Sequence, residues 1–267
     1  MKILALNGSY RGERGHTRTM TDLLLRGAEE AGAQTQVIDL ARLTIHTCLA
    51  CGRCQQPDTR LQCVWGNSKK DDAAFVFDQM AQADILVFAT PIYVFNISAL
   101  LKILFERFYG ICPIDSTILT DSNLLFHAVD RRVCSKPFVP LICCDNLEHE
   151  TPRSAIEYFK TYARFMDARM AGLLVRNAAF LTGSAEATDA PCVRSAVPAV
   201  LDSVHAAYRR AGMELATGGR ITASTQRRAN REIMPVPMFG LLKHLPGRGI
   251  KCVFLRHAEE FRKSRVA

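Results

Sequence analysis

Cys48, Cys51 and Cys54 fall within seven residues, and Cys63 follows after a gap of eight. Two-residue gaps let one short loop present three thiolates to a single centre, the spacing by which compact iron–sulfur loops wrap a cubane. Their fourth ligand is usually remote, whereas here Cys63 is at hand. Cys48, Cys51, Cys54 and Cys63 are therefore the expected ligands of a [4Fe-4S] cluster. Zinc prefers two separated Cys-x2-Cys knuckles, which three thiols in one tight loop satisfy less naturally. A thiol loop without metal, or one holding a disulfide, remains an alternative. Arg53 and Arg60 lie in the same stretch and suit a cluster of net negative charge.

Two further loops carry chemistry. Gly8-Ser9-Tyr10-Arg11 and Gly15-His16-Thr17-Arg18-Thr19 join an apolar run to a helical pattern. Backbone N–H groups and a helix N-terminus there can hold a phosphate. Ser9, Thr17 and Thr19 add hydroxyls, and Arg11 adds a charge-assisted donor. Neither Gly-x-Gly-x-x-Gly nor Gly-Lys-Ser/Thr is present, so a dinucleotide fingerprint and a P-loop are both excluded. A helix simply capped after a surface loop would read the same way, and composition does not decide. Thr90-Pro91-Ile92-Tyr93-Val94-Phe95-Asn96 offers a stiff turn, aromatic rings and backbone amides suited to a flat ligand such as an isoalloxazine. Tyr93 and Phe95 packing on a neighbouring helix is the alternative.

These loops need a scaffold. Lys2–Leu6, Thr35–Leu40, Asp84–Ala89, Phe138–Cys144 and Ala171–Arg176 read as short buried strands. Helical spacing runs over 17–31, from Asp71 or Asp72 to about Ala83, over 98–109, over 151–168 with Pro152 at its start, and over 198–211. Strands that alternate with helices and are continuously apolar indicate a parallel sheet covered on both faces. The expected fold class is α/β, a doubly wound five-stranded parallel sheet of flavodoxin-like order 2-1-3-4-5. Ligands of such sheets bind beyond the carboxyl ends of the strands. The loop after the fourth strand, Cys144-Asp145-Asn146, is then a further candidate for the ring edge.

The bulk numbers set limits. The chain has 267 residues, room for one large α/β domain with an extension. No apolar run is long enough for a membrane span or a signal sequence, so a cytoplasmic protein is expected. Ten cysteines then favour thiols or ligands over disulfides. The net charge of +8 is uneven, because residues 218–267 hold 11 basic and 3 acidic side chains and the rest balance at 23 each. The expected division is an FMN-binding domain over 1–212 with a cysteine-loop insertion at 44–67, and a basic extension over 213–267. Arg227, Arg228 and Arg231 would line one side of a helix there. No nucleic-acid motif accompanies them, and most charge runs are solvated faces. If functional, the patch fits an acidic electron carrier such as ferredoxin. Met234–Gly240 is apolar and proline-broken, and reads either as a cover for a neighbouring subunit's flavin or as core packing.

Taken in order, these loops resemble the NAD(P)H-dependent FMN reductase group of the flavodoxin-like superfamily, and within it the iron–sulfur flavoproteins. Gly8-Ser9-Tyr10-Arg11 corresponds to the family's Gly-Ser-Pro-Arg, and Gly15-His16-Thr17 to its Gly-Asn-Thr. Thr90-Pro91-Ile92-Tyr93 matches the flavin-ring loop, and Ser98-Ala99-Leu100-Leu101-Lys102 with Glu106-Arg107 resembles the helix that follows. Tyr10 and His16 depart from the family's Pro and Asn, the Cys54–Cys63 gap is slightly long, and Cys112–Lys136 looks like an insertion. The resemblance implies FMN held by Ser9, Arg11, His16, Thr17, Thr19, Thr90, Pro91, Ile92, Tyr93, Asn96, Cys144 and Asp145. It implies electron transfer between FMN and a cluster, no general acid or base, and a homodimer or homotetramer. A plain NAD(P)H-dependent FMN or quinone reductase without a cluster is the second reading, and a non-catalytic flavin or metal sensor the third.

Overall fold

Apolar residues alternate between two cores rather than between core and water. In β1 (Lys2–Asn7), Ile3 and Ala5 face one cluster, while Leu4 and Leu6 face the other. In β3 (Ile85–Tyr93), Ile85, Val87 and Ala89 oppose Leu86 and Phe88 in the same way. Both faces being buried turns the two-residue period of a strand into an unbroken apolar run. The computed structural model describes residues 1–66, 70–182 and 191–233, with backbone alone over 191–198.

In chain order, β1 is followed by α1 (His16–Glu30), β2 (Gln34–Asp39), α2 (Ala73–Gln82), β3, and the two-residue β4 (Asn96–Ile97). Next come α3 (Ala99–Glu106), a small hairpin of β5 (Thr117–Leu119) and β6 (Leu125–His127), α4 (Arg131–Cys134) and β7 (Phe138–Cys143). The rest is α5 (Arg153–Phe165), β8 (Leu174–Arg176), α6 (Pro191–Gly218) and α7 (Ala223–Ala229). The central sheet runs β2-β1-β3-β7-β8, all parallel. Counted by strand of that sheet, this is the expected order 2-1-3-4-5.

One face is covered by α1 and α6, with α7 against them. A Cβ on Gly27 would lie 1.8 Å from the Arg209 carbonyl oxygen, and one on Gly212 would lie 1.8 Å from that of Leu24. Only hydrogen at both positions lets the two backbones approach this closely. The opposite face centres on Phe88, whose ring meets those of Phe105, Phe138, Phe159 and Tyr162.

Several details differ from the sequence reading. β3 continues through Thr90–Tyr93, because Thr90 and Pro91 still pair with Ile142 and Cys143 of β7. The expected division at 212/213 falls inside α6, and the chain beyond it returns to the core, where Ile221, Ala229 and Ile233 are buried. α7 stops at Ala229, so Arg231 is not on that helix with the exposed Arg227 and Arg228. Met234–Gly240 and the basic residues from Lys243 onward lie outside the described residues. Among those described, no helix is long and apolar enough to cross a membrane.

Candidate functional site

The loop after β1 is held from beneath. Asn7 is fully buried, its Nδ2 donating to Asp39 Oδ1 at 2.7 Å and its Oδ1 accepting from the Ser9 N–H at 3.2 Å. Arg18 donates to Asp39 Oδ2 at 2.8 Å and to Asp22 at 2.7 Å. The ends of β1 and β2 and the first turn of α1 are thereby locked together. Ser9 is buried, and its Oγ accepts from the Arg11 N–H at 3.3 Å. A Cβ on Gly15 would stand 2.7 Å from that oxygen, so only glycine lets the loop close over Ser9. Gly15 caps α1 with no side-chain hydrogen bond to the first-turn N–H groups. Those donors and the positive end of the helix dipole suit a phosphate. Thr17 is buried, Thr19 and His16 are half-buried and Arg11 is exposed around this turn.

Beyond β3 the chain reverses at Val94-Phe95, with Tyr93 paired to Asn96 across the turn. Both turn residues have positive φ, 47° and 67°. This is the pattern of a type I′ turn, which asparagine and glycine normally occupy. A β-branched or bulky side chain there is strained, at a cost on the order of 1–3 kcal/mol. Yet Val94 is 90% exposed and Phe95 65%. Behind the turn, Thr90 Oγ1 accepts from the Ser98 N–H at 2.9 Å, and Ser98 caps α3 through the Leu101 N–H. A cleft of about 510 Å³ opens between Tyr10 and Tyr93 and is lined also by Asn96, Ile97, Lys102 and Tyr158. The Tyr10 and Tyr93 rings stand 5.8 Å apart. Residue 10, where the family has proline, thus supplies an aromatic wall.

The loop after β7 is arranged differently from the sequence reading. Cys144 is buried, and its thiol donates to the Asn146 carbonyl at 3.3 Å and approaches Asn177 Oδ1 at 3.5 Å. Burial pushes that thiol up to about 11. Asp145 is exposed. Neither residue lines the Tyr10–Tyr93 cleft; nor do Ser9, Arg11, His16, Thr17, Thr19 and Thr90, which form the loop and the strand end beside it.

The cysteine loop converges on a second pocket of about 20 Å³, lined by all of Cys48, Cys51, Cys54 and Cys63 together with Arg107, Tyr109 and Gly110. Three clamps shape it. Arg107 and Asp71 form a buried ion pair at 2.7 Å, with side chains 3% and 2% exposed. Arg107 also donates to the His46 carbonyl at 3.0 Å, while Asp71 Oδ2 accepts from the His46 N–H at 3.0 Å. Burial alone would raise the Asp71 carboxyl, but the Arg107 guanidinium and the N–H groups of His46 and Ala73 outweigh it and hold it below the ordinary range. Gln55 is the second clamp, donating to the carbonyls of Tyr109 at 2.7 Å and Cys112 at 3.0 Å and accepting from the Ile114 N–H at 3.1 Å. Trp65 is the third, stacked on His46 at 4.3 Å and donating to the Thr47 carbonyl at 3.2 Å.

The donor chemistry fits an iron–sulfur centre. The Cys54 thiol is pushed up by burial, with the nearby Cys63 and Cys48 raising it further, as expected where thiols face one another without a metal. The Arg107 guanidinium lies beside Cys63, and its Nε is a buried donor with no partner. As the loop stands, no three metal-ligating side chains among the described residues are close enough to hold an ion. The four sulfurs therefore share a pocket without being closed on a metal. Asn7, Asp39, Arg18, Asp71, Arg107 and Gln55 were missed as positioning residues by sequence reasoning, except that Arg107 fell in the resembling helix.

Residues 1–120 match the family of NADPH-dependent FMN reductases. An iron–sulfur flavoprotein of Methanosarcina thermophila is 32% identical over 107 residues, which cover 40% of this chain and 52% of that protein. One of Archaeoglobus fulgidus is 30% identical over 107 residues, covering 40% and 48%. The chain thus spans about half the length of the curated relatives it matches. An FMN-dependent NADH-azoreductase of Bacillus anthracis, solved with FMN, superposes at a TM-score of 0.57 and 13% identity, over 81% of this chain and 99% of that one. An NAD(P)H:quinone oxidoreductase of Methanothermobacter marburgensis gives 0.52 at 17% identity, over 80% and 98%. At these identities the structural likeness is one of fold. The resemblance carried by the three loops stands.

Proposed function

We propose that this chain, whose first 120 residues match the model of the NADPH-dependent FMN reductase family, is an FMN-dependent oxidoreductase. In this reading electrons pass between FMN and a [4Fe-4S] cluster on Cys48, Cys51, Cys54 and Cys63. The observation that carries it is the convergence of all four cysteines on one pocket, in a chain whose α1 N-terminus has no side-chain cap and so offers donors that suit a phosphate. Ser9, Thr17, Thr19 and the α1 N-terminus would hold the FMN phosphate, and Arg11 would add a positive charge at the mouth. Thr90–Tyr93 and Asn96 would border the ring, with Tyr10 as the facing wall.

FMN, when bound, supplies two-electron chemistry that can be divided into single electrons for a cluster. The residues position and shield. Tyr10 and Tyr93 line the cleft as a pair of rings in contact with each other, and the strained Val94-Phe95 turn fixes its rim. Arg107 places a buried positive charge under the cysteine pocket, which favours thiolates there. No side chain in the cleft is required to move a proton.

The family match also favours a second reading, an NAD(P)H-dependent FMN or quinone reductase whose cysteine pocket stays empty. Anaerobic stopped-flow reduction of the FMN-loaded protein distinguishes them. Rapid bleaching by NADPH or NADH with a quinone acceptor supports the second. Bleaching only by a low-potential one-electron donor such as reduced ferredoxin supports the first. A homodimer or homotetramer belongs to this reading, supported by the exposed apolar rim of Tyr10, Val94 and Phe95. An acidic carrier facing Arg227 and Arg228 would show a reduction rate that falls steeply with added salt.

A further inference from the structure

Cys112 and Cys134 lie at the two ends of the segment that the sequence marks as an insertion, and that segment projects as the β5–β6 hairpin. Their sulfurs are 3.8 Å apart, and the two residues are 1% and 0% exposed. Neither belongs to the four-cysteine pocket or to the cleft. They are nevertheless tied to the former, since Gln55, next to Cys54, donates to the Cys112 carbonyl at 3.0 Å. The Cys134 carbonyl is fixed by the Tyr162 hydroxyl at 2.8 Å. Two facing thiols on separately anchored backbones are a pair that side-chain rotation can bring to bonding distance, about 2.05 Å.

We propose that Cys112 and Cys134 form a peroxide-oxidisable dithiol, whose disulfide clamps the neck of the β5–β6 insertion beside the cysteine pocket. Burial excludes bulky disulfide reagents, so the oxidant is small, and hydrogen peroxide is the chemical class. One thiol of the pair, as its thiolate, attacks peroxide, forming an S–O bond as the O–O bond breaks; the leaving hydroxide takes up the proton that the thiol gave up, and a sulfenic acid results. The partner thiol then displaces that oxygen as water, its own proton leaving with it, and the S–S bond forms. In sum, two thiols and one peroxide give one disulfide and two waters. Either sulfur can act first, since the two thiols face each other at 3.8 Å and are equally enclosed. This inference is independent of whether the four-cysteine pocket holds a cluster.

The test is peroxide titration of the full chain, followed by alkylation under denaturing conditions and non-reducing peptide mapping. The expected result is a Cys112–Cys134 cross-linked peptide that dithiothreitol reverses. The oxidised protein should also melt higher by roughly 5–10 °C, because the bond closes a long loop in the unfolded chain. Cys134→Ser and Cys112→Ser should each abolish the cross-linked peptide under the same dose, the other position of the pair keeping a single thiol that no partner can resolve. If either variant fails to fold, the wild-type map alone decides. Recovery of both residues as alkylated free thiols, cross-links from either to other cysteines, or sulfinic acid on wild-type Cys112 in place of the cross-link would overturn the proposal.

Discussion

The β1–α1 turn and the cysteine loop are both ligand-shaped, but they are built in opposite ways. The turn grows out of the core. Its shape is set by Asn7, Asp39 and Arg18 at the ends of two central strands and one helix, and its donors are backbone N–H groups already in place. The cysteine loop has almost no regular structure, only short 3-10 turns, and is pinned from outside by Asp71, Arg107 and Gln55. The first has its donors fixed in place by the core. The second gathers its sulfurs into one pocket and leaves their closure to whatever binds. A phosphate needs only donors in roughly the right place, whereas a cluster needs four sulfurs at bonding distance and contributes its own binding energy to folding around it.

The contrast breaks most sharply at the buried ion pair. Asp71→Asn leaves the Arg107 charge buried and uncompensated, so it should cost about 3–5 kcal/mol. The loss should appear as protease cutting within 44–66 before the sheet melts. Loss of the whole fold in one step would show that the two regions are not separate. The same pair gives a pH signature. The Asp71 carboxyl is held below its unfolded value, so its contribution is complete above about pH 4, the ordinary carboxylate range, and is lost as pH falls through the lower folded value. Acid should therefore loosen the cysteine loop, read by thiol accessibility.

Gln55→Leu removes three neutral hydrogen bonds to the backbone and a longer one to Cys54 Sγ, an expected loss of about 1–3 kcal/mol confined to the pocket. FMN affinity should be unchanged. Gly15→Ala is the mirror experiment. Its Cβ collides with Ser9 Oγ, so FMN should bind about tenfold more weakly, ~1.4 kcal/mol, with no change in the thiol pocket. If either variant moves both readouts together, the separation of the two regions is wrong.

How much of this was legible in the residues follows from the same contrast. The inner strands β1, β3 and β7 were readable because each is buried on both faces and therefore continuously apolar, whereas the edge strand β2 is buried only toward its end. The β5–β6 hairpin was not readable, because its three-residue strands are largely exposed and carry no period. The Cys-x2-Cys-x2-Cys spacing and the Ser9–Thr19 turn were readable because their chemistry is local. Their clamps were not, since Asn7 meets Asp39 across 32 positions and Asp71 meets Arg107 across 36. A polar side chain whose partner is that remote looks like any other surface residue. The surroundings of Cys144 were hidden for the same reason, since its thiol turns inward to Asn177, 33 positions away.

The smallest expected effect sharpens the reading of the cleft rim. Val94→Asn together with Phe95→Gly supplies the residues that a type I′ turn prefers and should stabilise the fold by about 1 kcal/mol, read as a higher denaturation midpoint. A gain in stability together with weaker FMN binding would show that the strained apolar tip serves the ligand. A loss of stability would show that the positive φ angles are not strained.

The central claim is that one chain joins an FMN site to a four-thiolate iron–sulfur site. Its most direct test is iron, acid-labile sulfide and FMN per chain, measured on protein purified and reconstituted without oxygen, beside its Cys54→Ser variant. The account predicts about four irons and four sulfides per chain with FMN in the wild type. It predicts depleted iron with FMN retained in the variant. FMN bound without iron or sulfide in the reconstituted wild type would contradict it, and would leave a flavin reductase whose cysteine loop is a pocket of thiols.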